Sequence, residues 1–222
     1  MNPLTSIKGT IALGFVLAIL AALFVFPTAE DFTLNTARLI VWLHVIFGIT
    51  WIGLLYYFNF VQTEYFKEAE ESARKDAVSK LVPRALWWFR WAAFFTFLTG
   101  LVLLYFITQR VNLDIILGAT MGTLMMLNVW GIIWPNQKIV IGLKDGDAGV
   151  AGPKAALASR TNTLLSLPML YFMVSSAHYP HGGYLFAGDI SSKAFIVGVV
   201  VILAIEVNAI WGKMFTVITS VR

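Results

Sequence analysis

Three histidines, His44, His178 and His181, and one carboxylate inside an apolar run, Glu206, carry most of the chemistry this sequence could do. An ionisable side chain within a membrane span is rare and is a functional candidate by default. A pair of histidines from facing helices at similar depth is how a helix bundle holds the iron of a b-type haem. His44 is followed by Gly48 and Trp51, at i+4 and i+7, on one helical face. A glycine beside a ligand lets a flat macrocycle, or another helix, approach the backbone. These residues define an expected site in which His44 and His178 are metal ligands, His181 competes with His178, and Gly48 and Trp51 line the cofactor. The plainer readings are a histidine hydrogen-bonded across a helix interface, glycines that serve packing, and an ordinary loop histidine at His181. A copper or zinc site using all three histidines finds no carboxylate close by in sequence.

The elements that must position these residues are apolar. Of 222 residues, 59% are hydrophobic and 13% charged, against about 25% charged in a soluble domain. A bilayer core needs about 20 mostly apolar residues per helix, and six segments meet that need: 8–27, 37–61, 86–108, 114–135, 157–177 and 193–217. The expectation is an all-α integral membrane bundle, a single domain over 1–222. The first apolar stretch is too long for a typical signal-peptide core and lacks a small-residue cleavage site, so it reads as a retained helix. Pro168 falls inside the fifth segment and predicts a kink, which neighbouring helices can make tolerable.

Lysine and arginine set the orientation. With the N-terminus inside, 13 of the 16 basic residues fall on the cytoplasmic side, from Lys8 through the 62–84 connection to Lys213 and Arg222. The opposite side holds Arg38, Arg110 and Lys193. Both ends are therefore expected in the cytoplasm, and the net charge of +4 reports topology rather than nucleic-acid binding. The connection 62–84, which also carries Glu64, Glu68, Glu70, Glu71 and Asp76, reads as a solvated amphipathic helix. In this arrangement His44 lies about 10 Å below the outer end of its span at 1.5 Å per residue, His178 closes the fifth span, and His181 follows in the outer loop. All three histidines come to one side of the membrane.

Glu206, with Asn208 two residues on, lies near the middle of the last span. It must be protonated, paired or facing a wet cavity: either a proton-transfer group or a buried partner for Asn128 or a serine. Trp87, Trp88, Arg90 and Trp91 begin the third span at the level where Trp130 and Trp134 end the fourth, as an interfacial aromatic belt does. The absence of cysteine excludes disulfides, iron–sulfur clusters and covalently attached haem. No nucleotide loop or protease motif is present.

The run Trp42-Leu43-His44-Val45-Ile46-Phe47-Gly48-Ile49-Thr50-Trp51-Ile52-Gly53 resembles the second-helix signature of the membrane-bound urate oxidase (urate hydroxylase) family. Pro83 to Gly100, Asn128-Val129-Trp130, Ile133 to Lys138, and Arg160 to Pro180 with Asn162, Leu167-Pro168 and His178 are similar to further motifs of that family, in the same order. The resemblance implies a multi-pass redox protein of the bacterial inner (cytoplasmic) membrane, related to proteins that oxidise urate and append a cytochrome c domain. The sequence departs from the family pattern at Thr161, where the family has a histidine, and at Glu206 to Lys213; a cytochrome c domain is expected to be absent. The resulting expectation is a haem b-binding protein in the lipid bilayer that passes electrons near the periplasmic face, to a periplasmic cytochrome c. The alternative is a cofactor-free accessory subunit of a larger respiratory or photosynthetic membrane complex. A transporter finds no support in repeat symmetry.

Overall fold

In hydrocarbon every backbone N–H and C=O must find its partner within the protein, and long apolar runs satisfy this by forming helices. A computed structural model describes residues 2–25 and 32–211, and helix dominates them. The elements are α1 (Ile7–Val25), α2 (Phe32–Tyr56), α3 (Thr63–Glu68), α4 (Glu71–Lys80), α5 (Val82–Phe106), α6 (Leu113–Asn128), α7 (Trp134–Val140), α8 (Ala148–His178) and α9 (Ser192–Trp211). No strand forms among the described residues; a single antiparallel bridge joins Asn112 and Tyr184. The chain divides into two compact units, Met1–Leu39 and Ile40–Arg222. In the first, Asn2 caps a short 3₁₀ turn at Pro3–Thr5 ahead of α1, which is apolar on every face, as a helix surrounded by lipid is.

Five stretches are long and apolar enough to cross a membrane: Ile7–Phe24, Thr36–Glu68, Val82–Phe106, Leu113–Val140 and Ser192–Trp211. They account for five of the six segments expected from sequence. The ends of the first and last, 26–27 and 212–217, lie outside the described residues, as do Lys213 and Arg222. The segment expected at 157–177 is helical but is not among the five. It lies within α8, a continuous helix of 31 residues, whose buried face holds Thr161, Asn162, Ser166 and Ser175. Those polar groups lower its apolar character while they serve the interior of the second unit.

Two of the spans are extended by π-helical turns. Tyr57–Gln62 joins α2 to α3, and Val129–Ile133 joins α6 to α7. Pro135, at the start of α7, has no N–H to give the carbonyl four residues back and its ring crowds that carbonyl. The π turn just before it widens the ladder, and the Trp134 N–H bonds Val129 instead. Asn136 Nδ2 donates 2.7 Å to the Ile132 carbonyl, taking up one acceptor that the irregular turn exposes. The connection at 62–84 is not one amphipathic helix. It splits at Ala69–Glu70 into α3, which continues the second span, and a solvated α4. Exposed ion pairs Lys67–Glu64 (2.7 Å), Lys75–Glu71 (2.6 Å) and Lys80–Asp76 lie along it.

The core of the second unit is built from Trp51 and Leu55 of α2, Phe89 of α5, Met121 and Met125 of α6, and Leu165 of α8. Gly118 lets α6 and α8 pack closely: a Cβ there would stand 3.3 Å from Phe172 Cβ and 3.5 Å from backbone atoms of Met169 and Met173. At one end of the unit the loop after α8 is tied to the α5–α6 turn. Leu113 N–H donates to Gly183 (3.2 Å) and Leu185 N–H to Val111 (2.8 Å).

Candidate functional site

His44 lies in α2 against α5. Its Nδ1 is 3.0 Å from Thr99 Oγ1. The Thr99 hydroxyl hydrogen is directed to its own helix, toward the Phe95 (2.7 Å) and Thr96 (3.0 Å) carbonyls. With its hydrogen turned that way, the Thr99 oxygen can accept from a ring protonated on Nδ1, the tautomer in which Nε2 is the acceptor nitrogen. The seat depends on Gly100, where a Cβ would stand 3.2 Å from His44 Cε1. Phe47 and Phe95 stack beside it with centroids 5.2 Å apart. Gly48 faces Thr96 with room for a side chain: a Cβ built there would stand 4.0 Å from Thr96 Cγ2, so helix packing does not require glycine at this position.

Trp51, two turns from His44 on the same face, is 2% exposed. Its indole Nε1 is buried with no hydrogen-bond partner among the described residues. Buried donors are almost always paired. An orphaned indole N–H on the same stripe as a histidine with a free Nε2 is a donor set that a bound polar group would complete.

His178 closes α8 and is exposed, its ring 6.4 Å from that of Tyr179. His181 is held differently. Its backbone N–H donates 3.1 Å to Asp114 Oδ2, and its Nδ1 stands 3.7 Å from the same oxygen. Ser175 Oγ donates 2.7 Å to Asp114 Oδ2. Asp114 is 4% exposed and sits in the first turn of α6, just after the Asn112 N-cap. The sequence reading missed this carboxylate, because 61 and 67 residues separate it from Ser175 and His181. The one available signal was an aspartate behind an N-cap asparagine in an outer turn, which reads as ordinary helix capping. The bonds of His44 run to α5 and those of His181 to α6, and no cluster of three or more His, Asp or Glu side chains suited to a metal ion occurs among the described residues.

Glu206 is buried, and Asn128 is its partner. Asn128 Nδ2 donates to Glu206 Oε2 and to Asn162 Oδ1, each at 3.0 Å. Asn162 Nδ2 in turn donates 2.9 Å to the Met125 carbonyl. The network links α6, α8 and α9 directly before the π turn at Val129–Ile133. Nearby, Tyr56 OH bonds Ser166 Oγ at 2.9 Å and Asn59 Nδ2 donates 2.9 Å to Ser159 Oγ. These bonds fasten α2 and its π extension to α8. The belt residues also come together: Arg90 stacks 3.9 Å over Trp134, and Trp130 Nε1 donates 3.2 Å to the Arg90 carbonyl.

No curated protein and no solved structure matches the chain. Residues 106–214 match the family model described as urate oxidase N-terminal. The matched stretch takes in α6 to α9, and with them Asp114, Asn128, Asn162, His178, His181 and Glu206; His44 and Trp51 precede it. Over residues 106–214 the chain is similar to the urate oxidase N-terminal family.

Proposed function

We propose that this chain is a urate oxidase-like membrane domain that carries electrons near the outer face of a bacterial inner membrane, through haem b held by His44. The observation that carries the reading is the seat of His44: Thr99 Oγ1, 3.0 Å from Nδ1, is an acceptor for an Nδ1 proton, and in that tautomer Nε2 is the nitrogen available to iron. Ligand histidines commonly donate their other N–H to a fixed acceptor in this way. The orphaned Trp51 indole N–H supports the same reading, since a polar group bound beside α2 would satisfy it. Iron in such a group supplies one-electron chemistry. The protein's part is to hold the ligand nitrogen, fix its tautomer and exclude water with the Phe47–Phe95 stack.

His178 is proposed as the second ligand, and a periplasmic cytochrome c as the electron partner. The proposal also includes six spans with both ends inside, α8 being the fifth. What supports it is the distribution of 16 basic residues and the length of α8. A reduced-minus-oxidised absorbance spectrum of the purified protein tests the haem, with His44→Ala, His178→Ala and His181→Ala alongside. The expected result is a b-type band that disappears in His44→Ala. A colourless protein, or a band untouched by that substitution, would overturn the haem reading and leave the accessory-subunit reading standing.

A further inference from the structure

At the end of α8, apart from His44, the fold assembles a second constellation that the pairing of His44 with His178 does not use. Asp114 is buried beneath His181, whose imidazole side is 71% exposed. A buried carboxylate is costly unless it is paired and hydrogen-bonded. Asp114 takes the Ser175 hydroxyl, the His181 amide and, at ion-pair distance, His181 Nδ1, all on one oxygen. This arrangement favours the proton on Nδ1, turned toward the carboxylate, and it presents Nε2 outward as an acceptor.

The ring opens on a shallow cleft of about 570 Å³ lined by Leu170, Tyr171, Val174, Ser175, Tyr179 and His181. Its wall is almost wholly apolar, and Tyr171, Val174 and Tyr179 are exposed. With α8 read as a span, that surface faces lipid at the outer interface, where tyrosines concentrate. The site therefore suits an occupant from the lipid phase with an apolar body and one hydroxyl that donates. A wholly polar solute would leave the apolar wall uncovered. A simple alkyl lipid would leave the carboxylate-backed imidazole unused.

We infer that the Asp114–His181 pair and its apolar cleft form a binding site for a lipid-phase quinol, whose ring hydroxyl donates to His181 Nε2. The reduced form is selected because it carries the donor; the quinone presents only carbonyl acceptors to an acceptor nitrogen. Serine and aspartate act as positioning residues, through the imidazole. The inference does not require haem at His44, but it does require that His181 is not a haem ligand.

The test uses the full chain in nanodiscs and a decyl-substituted benzoquinol, kept reduced under anaerobic conditions, with the matching quinone. Uptake is measured as the excess over empty nanodiscs. The expected result is a saturable excess of one quinol per chain, with affinity about tenfold higher than for the quinone, a difference worth about 1.4 kcal/mol. His181→Ala, at an exposed position that leaves the fold intact, should erase the preference for quinol. Ser175→Ala and Asp114→Asn should each reduce it. Equal uptake of the two redox forms, no saturable excess, or a preference that survives His181→Ala would overturn the proposal. Loss of a haem band in His181→Ala would also overturn it, whereas a colourless wild-type protein that still prefers quinol would overturn only the haem reading.

Discussion

Replacing Asn128 by alanine removes the donor at the centre of the buried network. Asn128 is 1% exposed, and both hydrogens of its amide are committed, one to Glu206 Oε2 and one to Asn162 Oδ1, at 3.0 Å each. Side-chain hydrogen bonds between membrane helices average about 0.6 kcal/mol and reach about 1.7 kcal/mol. Two lost together amount to about 1–3 kcal/mol, before any contribution from the space the amide vacates. The assay is unfolding in mixed micelles on titration with a denaturing detergent. A cycle with Glu206→Ala isolates one of the two bonds, because that variant removes the Glu206 acceptor and leaves the bond to Asn162. The expected coupling between Asn128 and Glu206 is about 0.6–1.7 kcal/mol. A coupling below about 0.3 kcal/mol, the size found between independent sites, would refute the claim that this amide fastens the carboxylate. So would an Asn128→Ala protein as stable as wild type.

Two other predictions follow from the packing of α5, α6 and α8. Gly118→Val should destabilise by about 1–3 kcal/mol through overpacking, because its side chain meets the backbone of α8, whereas Gly122→Ala, with nothing within 4 Å of the added carbon, should be neutral or stabilising by up to about 1 kcal/mol; the same detergent titration checks both, and equal effects would contradict the geometry. On the proposed reading that His44 holds haem, Thr99→Val removes the hydroxyl 3.0 Å from His44 Nδ1 and should weaken haem affinity about 10–100-fold, read by titration of haem into the pigment-free protein.

Five of the six apolar segments were legible as spans because lipid forces one solution on an apolar run. The partner of Glu206 was legible in outline, since a mid-span carboxylate must find a neutral donor and Asn128 was a near candidate in depth. Asn162, which completes the network, was visible in the sequence only as part of a family motif. The Asp114–His181 pair was not legible. Its three side chains come from two helices and a loop, and what brings them together is the bonding of residues 182–185 to the turn before α6. That bonding is carried by backbone groups at Val111, Leu113, Gly183 and Leu185, where side-chain identity leaves little trace. Gly182 and Gly183 are the exception, with φ of +77° and +86°. Added side chains there would collide with Leu113 and with the Asp189 backbone, so the glycine pair marks where the loop folds back.

The disagreement between six apolar segments and five helices that meet a membrane-span criterion has a physical source in α8. A hydropathy average treats each residue as if it faced the same solvent. In a bundle, a helix wrapped by its neighbours meets lipid on only part of its circumference, and its inner face can be polar where each polar group is bonded. The inner face of α8 is of that kind: Asn162 bonds Asn128 and Met125, Ser166 bonds Tyr56 and the Thr163 carbonyl, and Ser175 bonds Asp114. The outer face carries Leu164, Leu167, Leu170, Tyr171 and Val174, all exposed. The helix therefore has an apolar exposed face and a polar, hydrogen-bonded buried face. The same division places the networks at Glu206 and at Asp114 along one helix, one before Pro168 and one after it.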